Sequence, residues 1–529
     1  MFDYIVIGGG SAGCVLAARL SEDPHVSVCL IEAGPVDKSV LVHCPAGLAL
    51  LAQTGQANWA FETVPQGGLN GRRGYQPRGK VLGGSSSINA MIYMRGHRAD
   101  YDRWAAEGNA GWGFDDLLPY FKKAEHNERG ADAFHATGGP LNVMDLRSPG
   151  RVRSLFVNAA QQAGYPLNPD FNGARQEGVG VYQVTQKNGE RCSAAKAYLR
   201  PNLGRANLQV MTDAHTTRIL LQDKRAVGVV VRVGGELRQL TARREVLLCA
   251  GALQSPQVLM LSGIGGGAQL QRHGIACVHD LPGVGEQLHD HINVVQVVHA
   301  PRLTDTLGIS FGGAINAIRG IFEWRRLRTG LLTTNIAEAG GFIKSRPEEP
   351  LPDLQLHFIV GKLADHGRKT LFGHGYSCHV CLLRPSSRGS VKLASADPLA
   401  APLIDPNFLA SRDDMDAMVR GFKQMRRILQ QSALSSFGGR ESGTQAAAKT
   451  DAQIEQFIRD HADTEYHPVG TCRMGNGALD VVDSELRVHG MKGLRVVDAS
   501  IMPSIVGGNT NAPVIAIAEK AADLIRSSR

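Results

Sequence analysis

Toward the carboxyl end, Tyr466-His467-Pro468-Val469-Gly470-Thr471-Cys472-Arg473-Met474-Gly475 sets one imidazole in a turn-forming context. Histidine titrates near neutrality, so His467 has the chemistry of a general base that removes a proton from a substrate. An isolated His-Pro is more often a structural turn. What gives this one weight is the other end of the chain, where Gly8-Gly9-Gly10-Ser11-Ala12-Gly13 follows the apolar run Asp3-Tyr4-Ile5-Val6-Ile7 and leads into a helical pattern over residues 14–20. Strand, glycine turn and helix in that order make a dinucleotide fingerprint. Gly8 permits the tight turn, Gly10 lets a pyrophosphate approach the backbone, and Gly13 lets helix and strand pack closely, with the diphosphate on the helix N-terminus. Glu32 closes a second strand over 26–31, roughly 20 residues on, where a carboxylate binds a ribose diol and repels a 2′-phosphate. NADP is disfavoured; FAD and NAD are not distinguished by these residues. A base joined to a dinucleotide site suggests redox chemistry.

Two further glycine-rich stretches must place a cofactor against that base. Arg78-Gly79-Lys80-Val81-Leu82-Gly83-Gly84-Ser85-Ser86-Ser87-Ile88-Asn89 concentrates flexible backbone and small hydroxyls, suited to close approach by a flat ring and phosphates. The buried strand Glu245-Val246-Leu247-Leu248-Cys249-Ala250 runs into Gly251 and then a helix opened by Ser255-Pro256, returning the chain to the nucleotide sheet. Residues 212–232 read as two strands about a turn at Asp223-Lys224. After about residue 300 the texture changes to strands such as Leu354-Gln355-Leu356-His357-Phe358-Ile359, separated by turns such as Pro385-Ser386-Ser387-Arg388-Gly389-Ser390. The fold class expected is α/β, or α+β overall: a Rossmann-like domain over 1–300 with 455–529, interwoven with an antiparallel-sheet substrate domain over 301–454. Residues 145–200 are expected to contribute partly to the substrate domain. Met415, Met418, Val419, Phe422, Met425 and Leu429 recur at helical spacing and read as core.

At 529 residues the chain is too long for one ordinary domain, and its 43% apolar content is ordinary for globular proteins. The formal charge of +8 arises from 57 basic and 49 acidic side chains spread along the sequence, which gives no footprint for nucleic acid. The first strand begins near residue 3, leaving no room for a secretory signal, and no apolar run is long enough to cross a bilayer. A cytoplasmic protein is expected. The helix pattern around Ile318-Arg319-Gly320-Ile321-Phe322-Glu323-Trp324-Arg325-Arg326 allows peripheral contact, at an inner membrane for instance, although a solvated face is the plainer reading. Nine cysteines, odd in number and mostly in apolar strands, point to reduced thiols. Cys378 and Cys381 sit three apart in a strand, on opposite faces, and no second pair completes a tetrahedral site; no metal is expected.

Taken in order, these motifs, with Leu281-Pro282-Gly283-Val284-Gly285 and Asp290-His291, resemble the glucose-methanol-choline (GMC) oxidoreductase family over essentially the whole chain. The resemblance implies FAD and oxidation of an alcohol. It implies that Gly8, Gly10, Ser11, Gly13, Glu32 and Ala33 hold the ADP part, with Thr216 beside it. Arg78, Gly79, Gly83, Gly84, Ser85, Asn89, Ala90 and Ile92 would pass along the flavin. Ala250, Gly251, Tyr466, Asp498, Ala499, Asn509, Thr510 and Pro513 would complete the cofactor site. Some relatives link flavin to a histidine just before the asparagine of the glycine-serine block; Ile88 stands there, so noncovalent FAD is expected. Pro513 fits the first turn of a final helix whose positive end, aimed at a flavin, would favour its reduced anion. The resemblance makes His467 the base and Asn511 its partner across the substrate hydroxyl, assigns His291 a structural place at a domain junction, and puts Glu338 where choline-oxidising relatives present a carboxylate. The expected activity is an alcohol dehydrogenase acting on a primary or simple secondary alcohol. Its electrons would pass to a carrier other than oxygen, such as a quinone. The alternatives are a peroxide-forming oxidase, a choline dehydrogenase, and a flavin-containing cyanohydrin lyase. Aromatic residues make up only 6% of the chain, which argues against a cage for quaternary ammonium. Oligomeric state is not readable.

Overall fold

A computed structural model describes residues 1–528. Two seven-stranded sheets organise it, and the chain crosses between them repeatedly. In the first, Phe2–Ile7 lies parallel between Val28–Ile31 and the carboxyl half of Glu236–Leu248, with Leu208–Met211 and Leu494–Val496 parallel at the flanks. Strands buried on both faces read as continuous apolar runs, which is why Tyr4, Ile5, Val6, Leu247 and Leu248 are all buried. The amino half of Glu236–Leu248 instead pairs antiparallel with Arg225–Val233, and that strand pairs with Ala214–Gln222 across the expected turn at Asp223 and Lys224. Both turn residues have positive φ.

Helix Ser11–Leu20 follows the glycine turn, and the last helix, Asn511–Ser527, packs on it. Their contact is fixed by a 2.8 Å ion pair between Arg19 and the buried Glu519, which also accepts a hydrogen bond from the Tyr198 hydroxyl. This pairing brings the chain's two ends to one place.

The second sheet is antiparallel, in the order Arg440–Glu441, Ile292–His299, Gly375–Leu382, Leu354–Ile359, Ala337–Ile343, Gly178–Val181. Ile292–His299, on the nucleotide side of the boundary expected at residue 300, belongs to this sheet, and so does Gly178–Val181 from the segment expected to be shared. Helix Arg412–Leu429 lays its stripe of Met415, Met418, Phe422 and Met425 into the core against the sheet. Cys378 and Cys381 point into different cores, as their offset requires. A short strand, Asp463–Thr464, adds to the edge at Ile292, and from it the chain passes through Glu465, Tyr466 and His467 back toward the first sheet. That crossing carries the imidazole into the space between the two sheets.

Candidate active site

A single cavity of about 730 Å³ runs from the glycine turn at Gly8, Gly10 and Ser11 to His467. Each wall is built by local backbone demands. Gly8 has φ +99°, and a Cβ there would sit 2.5 Å from the Cys249 carbonyl oxygen. Gly13 is closer still, since its Cβ would lie 1.9 Å from the Gly8 carbonyl oxygen. A Cβ on Gly10, in contrast, would meet nothing within 4 Å, because that backbone faces the cavity. Gly8 and Gly13 are thus confined by close backbone contact, and Gly10 leaves backbone open to the cavity.

Glu32 lines the cavity and clamps the turn: its carboxylate accepts from the amides of Gly9 at 2.9 Å and Gly34 at 2.7 Å. Burial raises its pKa to about 7 against the pull of those amides and Lys80. Asp498 performs the matching task on the facing turn, accepting from the Gly251 amide and the Ser255 hydroxyl. Ala33, Arg78, Gly79, Gly84, Ser85, Asn89, Ala90, Ile92, Thr216, Ala250, Gly251, Tyr466, Ala499, Asn509 and Thr510 also line the cavity. Gly13, Gly83 and Pro513 do not line it and act through packing. The buried Thr216 hydroxyl has no hydrogen-bond partner, and Gly10 and Gly251 present open backbone, so the walls fit an extended dinucleotide.

His467 stands at the far end on a strained turn, because Tyr466 before it has φ +71°. Its amide donates to Asp290 at 2.9 Å, and Asp290 also accepts from the Thr464 hydroxyl. The Arg78 guanidinium donates to the Tyr466 carbonyl at 2.6 Å. The protons of the imidazole follow from its neighbours. His291 Nε2 lies 3.0 Å from the Leu383 carbonyl, which only accepts, so Nε2 carries the hydrogen. Burial lowers the His291 pKa to about 4, so the ring is neutral and its Nδ1 is a lone pair. His467 Nδ1, 3.0 Å away, must therefore donate to it. That leaves His467 Nε2 unprotonated toward the cavity, 3.2 Å from the Asn509 amide nitrogen. Asn509 is oriented in turn, because its Oδ1 accepts from Gln355 at 3.1 Å. Burial first, and then His291, hold the His467 pKa well below the usual histidine range. The site holds an imidazole kept neutral with one defined lone pair.

Three expectations change. Asn511 is not the asparagine beside His467: it begins the last helix, and its Oδ1 accepts from Ser11 at 2.7 Å, which turns it to the glycine turn while Asn509 takes the imidazole. Glu338 is absent from the cavity lining and is buried in an ion pair with Arg153 at 3.1 Å, with the Ser148 hydroxyl donating to its other oxygen. His291 is more than a junction residue, because it fixes the tautomer of the base. Asp290-His291 was visible as a pair; nothing local announces its partner 176 positions away.

Family models described as GMC oxidoreductase match residues 2–293 and 385–518. The chain is 49% identical to an alcohol dehydrogenase [acceptor] of Pseudomonas putida over 99% of its length and 96% of the relative. It is 44% identical to the mitochondrial choline dehydrogenase of Homo sapiens, covering 99% and 90%. Among solved structures, pyridoxine 4-oxidase from Mesorbium loti superposes with a TM-score of 0.87 at 32% identity, over 99% of each chain. With glycine turns, clamping carboxylates and a neutral imidazole around one cavity, these matches settle its kinship: the chain belongs to the GMC oxidoreductase family.

Proposed function

We propose that the protein is an FAD-dependent alcohol dehydrogenase that converts a primary or simple secondary alcohol to the aldehyde or ketone. The observation that carries this reading is the unprotonated Nε2 of His467, beside the Asn509 amide, at one end of a cavity whose other end is the glycine turn. FAD, when bound, supplies the acceptor for the hydride that leaves the carbinol carbon. A carbinol resists hydride loss while its oxygen keeps the proton, so His467 takes that proton at Nε2. Asn509 holds the alcohol oxygen through its amide, and Asn511, tied to Ser11, orders the turn beneath. Burial of the pair excludes water from the transfer.

The ADP part fits Gly8, Gly10, Ser11, Glu32, Ala33 and Thr216. The flavin part fits the stretch from Arg78 to Ile92 with Ala250, Gly251 and Thr510, and it is held noncovalently beside Ile88. The first sheet and the chain's two ends serve the cofactor, and the antiparallel sheet closes the substrate side. The proposed acceptor is a carrier other than oxygen, a quinone by class; the relative from Pseudomonas putida is named for an acceptor that its name leaves unspecified. No helix among the described residues is long and apolar enough to span a membrane. We place the protein at the cytoplasmic face of one instead, through the exposed helix Phe311–Leu327.

Anaerobic mixing with a panel of alcohols tests the reaction. Bleaching of the flavin by an alcohol, then reoxidation by a quinone faster than by oxygen, is expected. Stoichiometric peroxide would make it an oxidase, and turnover without bleaching would make it a lyase.

A further inference from the structure

Beside His467 the cavity holds a second group of buried polar atoms that proton abstraction does not use. Glu465, two residues earlier, lines it together with His357 and His379, which face each other across adjacent strands of the antiparallel sheet. All three are at least nine-tenths buried. Glu465 Oε1 is 3.4 Å from His357 Nδ1, and Oε2 is 3.6 Å from His379 Nδ1, but Oε2 has no hydrogen-bond partner. Neither ring nitrogen of His357 has one, nor has His379 Nε2. Buried polar atoms are ordinarily paired, so four open atoms around one cavity wall mark a place where a ligand completes the pairing.

Three of the four open atoms accept hydrogen bonds, and the fourth is the ring N–H of His357. Asn293 donates through Nδ2 to the carbonyls of Asp463 and Thr464, which turns its Oδ1 to His379 at 3.1 Å. His379 Nδ1 therefore carries the hydrogen and Nε2 is a lone pair. Burial favours neutral His357, which keeps one lone pair in either tautomer. Burial works against its charge, but both Glu465 oxygens lie against ring nitrogens that can donate, His357 Nδ1 at 3.4 Å and His379 Nδ1 at 3.6 Å, which favours the carboxylate. It offers three acceptors and a negative charge.

We propose that Glu465, His357 and His379 form a recognition subsite for a primary ammonium group, so that the substrates are alcohols bearing an –NH3⁺ at the end away from the carbinol. A primary ammonium has three N–H donors for three acceptors and a charge that offsets the buried carboxylate. An alkyl terminus would leave those acceptors unsatisfied. A trimethylammonium group has no N–H to give them, and it is aromatic faces rather than lone pairs that favour it. The inference rests on the alcohol-oxidising reading of the same cavity and names its substrate class.

The test is anaerobic reduction of the holoenzyme's flavin by amino alcohols from ethanolamine to aminohexanol, by n-alkanols of matched length, and by choline. It is run on the wild type and on Glu465→Gln, with FAD content measured for both. For the best chain length, kcat/KM for the amino alcohol is expected to exceed that of the alkanol at least tenfold. Glu465→Gln is expected to lower this ratio at least tenfold. A purely structural Glu465 would lower both rates together and leave the ratio in place, which overturns the proposal. So does a wild type that reduces faster with alkanols or choline than with every amino alcohol. If no alcohol of any kind bleaches the flavin, the alcohol-oxidising reading fails and this one with it. If alkanols bleach and amino alcohols do not, only this one fails. Should Glu465→Gln not fold, the wild type decides through a dead-end ligand. An n-alkylammonium ion is expected to compete with the alcohol at least tenfold better than an uncharged n-alkyl methyl ether of matched length; equal competition refutes the subsite.

Discussion

At the scale of single residues, the protonation of His467, the proposed base, is set by what surrounds it. His467 is deeply buried and its pKa lies well below the ordinary value, first because of burial and then because of His291, while Glu465 pulls the other way. A base must be neutral to act, so a depressed pKa keeps it active as pH falls. kcat/KM should stay level through pH 6.5 and decline only in more acid solution, read from the pH profile of anaerobic flavin reduction. His467→Ala should cost about 100-fold or more in turnover while FAD stays bound, which an absorption spectrum of the purified variant verifies. His291 is a positioning residue, and its replacements separate position from bulk. His291→Leu removes the acceptor for the Nδ1 hydrogen and should slow flavin reduction about tenfold, the scale of one buried hydrogen bond. His291→Asn supplies an Oδ1 to accept and an Nδ2 to donate to Leu383, and should recover most of the rate. Because it removes the imidazole that depresses the His467 pKa, it should also move the acid limb of the profile to higher pH. That His467 lines the cavity was legible only through the motifs at the other end of the chain, since a His-Pro alone reads as a turn. Its partners were not: His291 and Asn509 reach it from 176 and 42 positions away, and Asn509 and Asn511 are alike until the start of the last helix turns one to Ser11.

At the scale of elements, the glycine turn shows how far residue type encodes geometry. Gly10 and Gly13 are the same residue in one motif, yet one faces open cavity and the other lies against the Gly8 carbonyl. Gly10→Ala adds a methyl on the cavity wall where the pyrophosphate is proposed to lie, at an ordinary backbone φ of −79°. It should leave the thermal midpoint of the cofactor-free protein unchanged and weaken retention of FAD, measured by the flavin to protein absorbance ratio after gel filtration. Gly13→Ala forces helix and strand apart and should destabilise the cofactor-free protein by about 1–3 kcal/mol, the usual cost of overpacking. Such elements were legible because their demands are local: positive φ, close approach, an apolar strand, a methionine stripe on one helix face. Glu338 shows the converse. The resemblance placed it toward the substrate, but its partner, Arg153, arrives from a helix 185 positions earlier and takes the carboxylate away from the cavity. The strand Ile292–His299 was likewise assigned to the wrong side of a boundary, because antiparallel pairing with Gly375–Leu382 is a contact between distant segments that no local pattern announces.

At the scale of the whole molecule, the cavity's mouth and the exposed helix belong to one feature. Gly313, Asn316 and Ala317 of Phe311–Leu327 line the cavity, while Phe311 is 86% and Phe322 71% exposed on the same helix. Ile315 and Ile318 are exposed between them, and Ile309 bridges to Phe372, itself 74% exposed. Phe311, Ile315, Ile318 and Phe322 recur at spacings of four, three and four, one stripe of a helix, and only Gly320 and Trp324 are buried. A water-facing helix gains nothing from such a stripe. With Arg319, Arg325 and Arg326 beside it, the stripe supports the proposal that this helix lies in the headgroup region of an anionic bilayer. Binding there would bring the cavity to the phase that holds a lipid-soluble quinone, joining the substrate side to the proposed acceptor without a spanning helix. The purified protein should therefore sediment with vesicles containing anionic phospholipid, less so as salt rises, and weakly with neutral vesicles. Each phenylalanine withdrawn from water contributes about 1.5–3 kcal/mol at most. Replacing Phe311 and Phe322 together with serine should lower vesicle binding at least tenfold while leaving flavin reduction by a soluble alcohol in place, since neither side chain lines the cavity. Equal sedimentation of the double variant and the wild type would assign the stripe to some other partner and detach quinone access from this face.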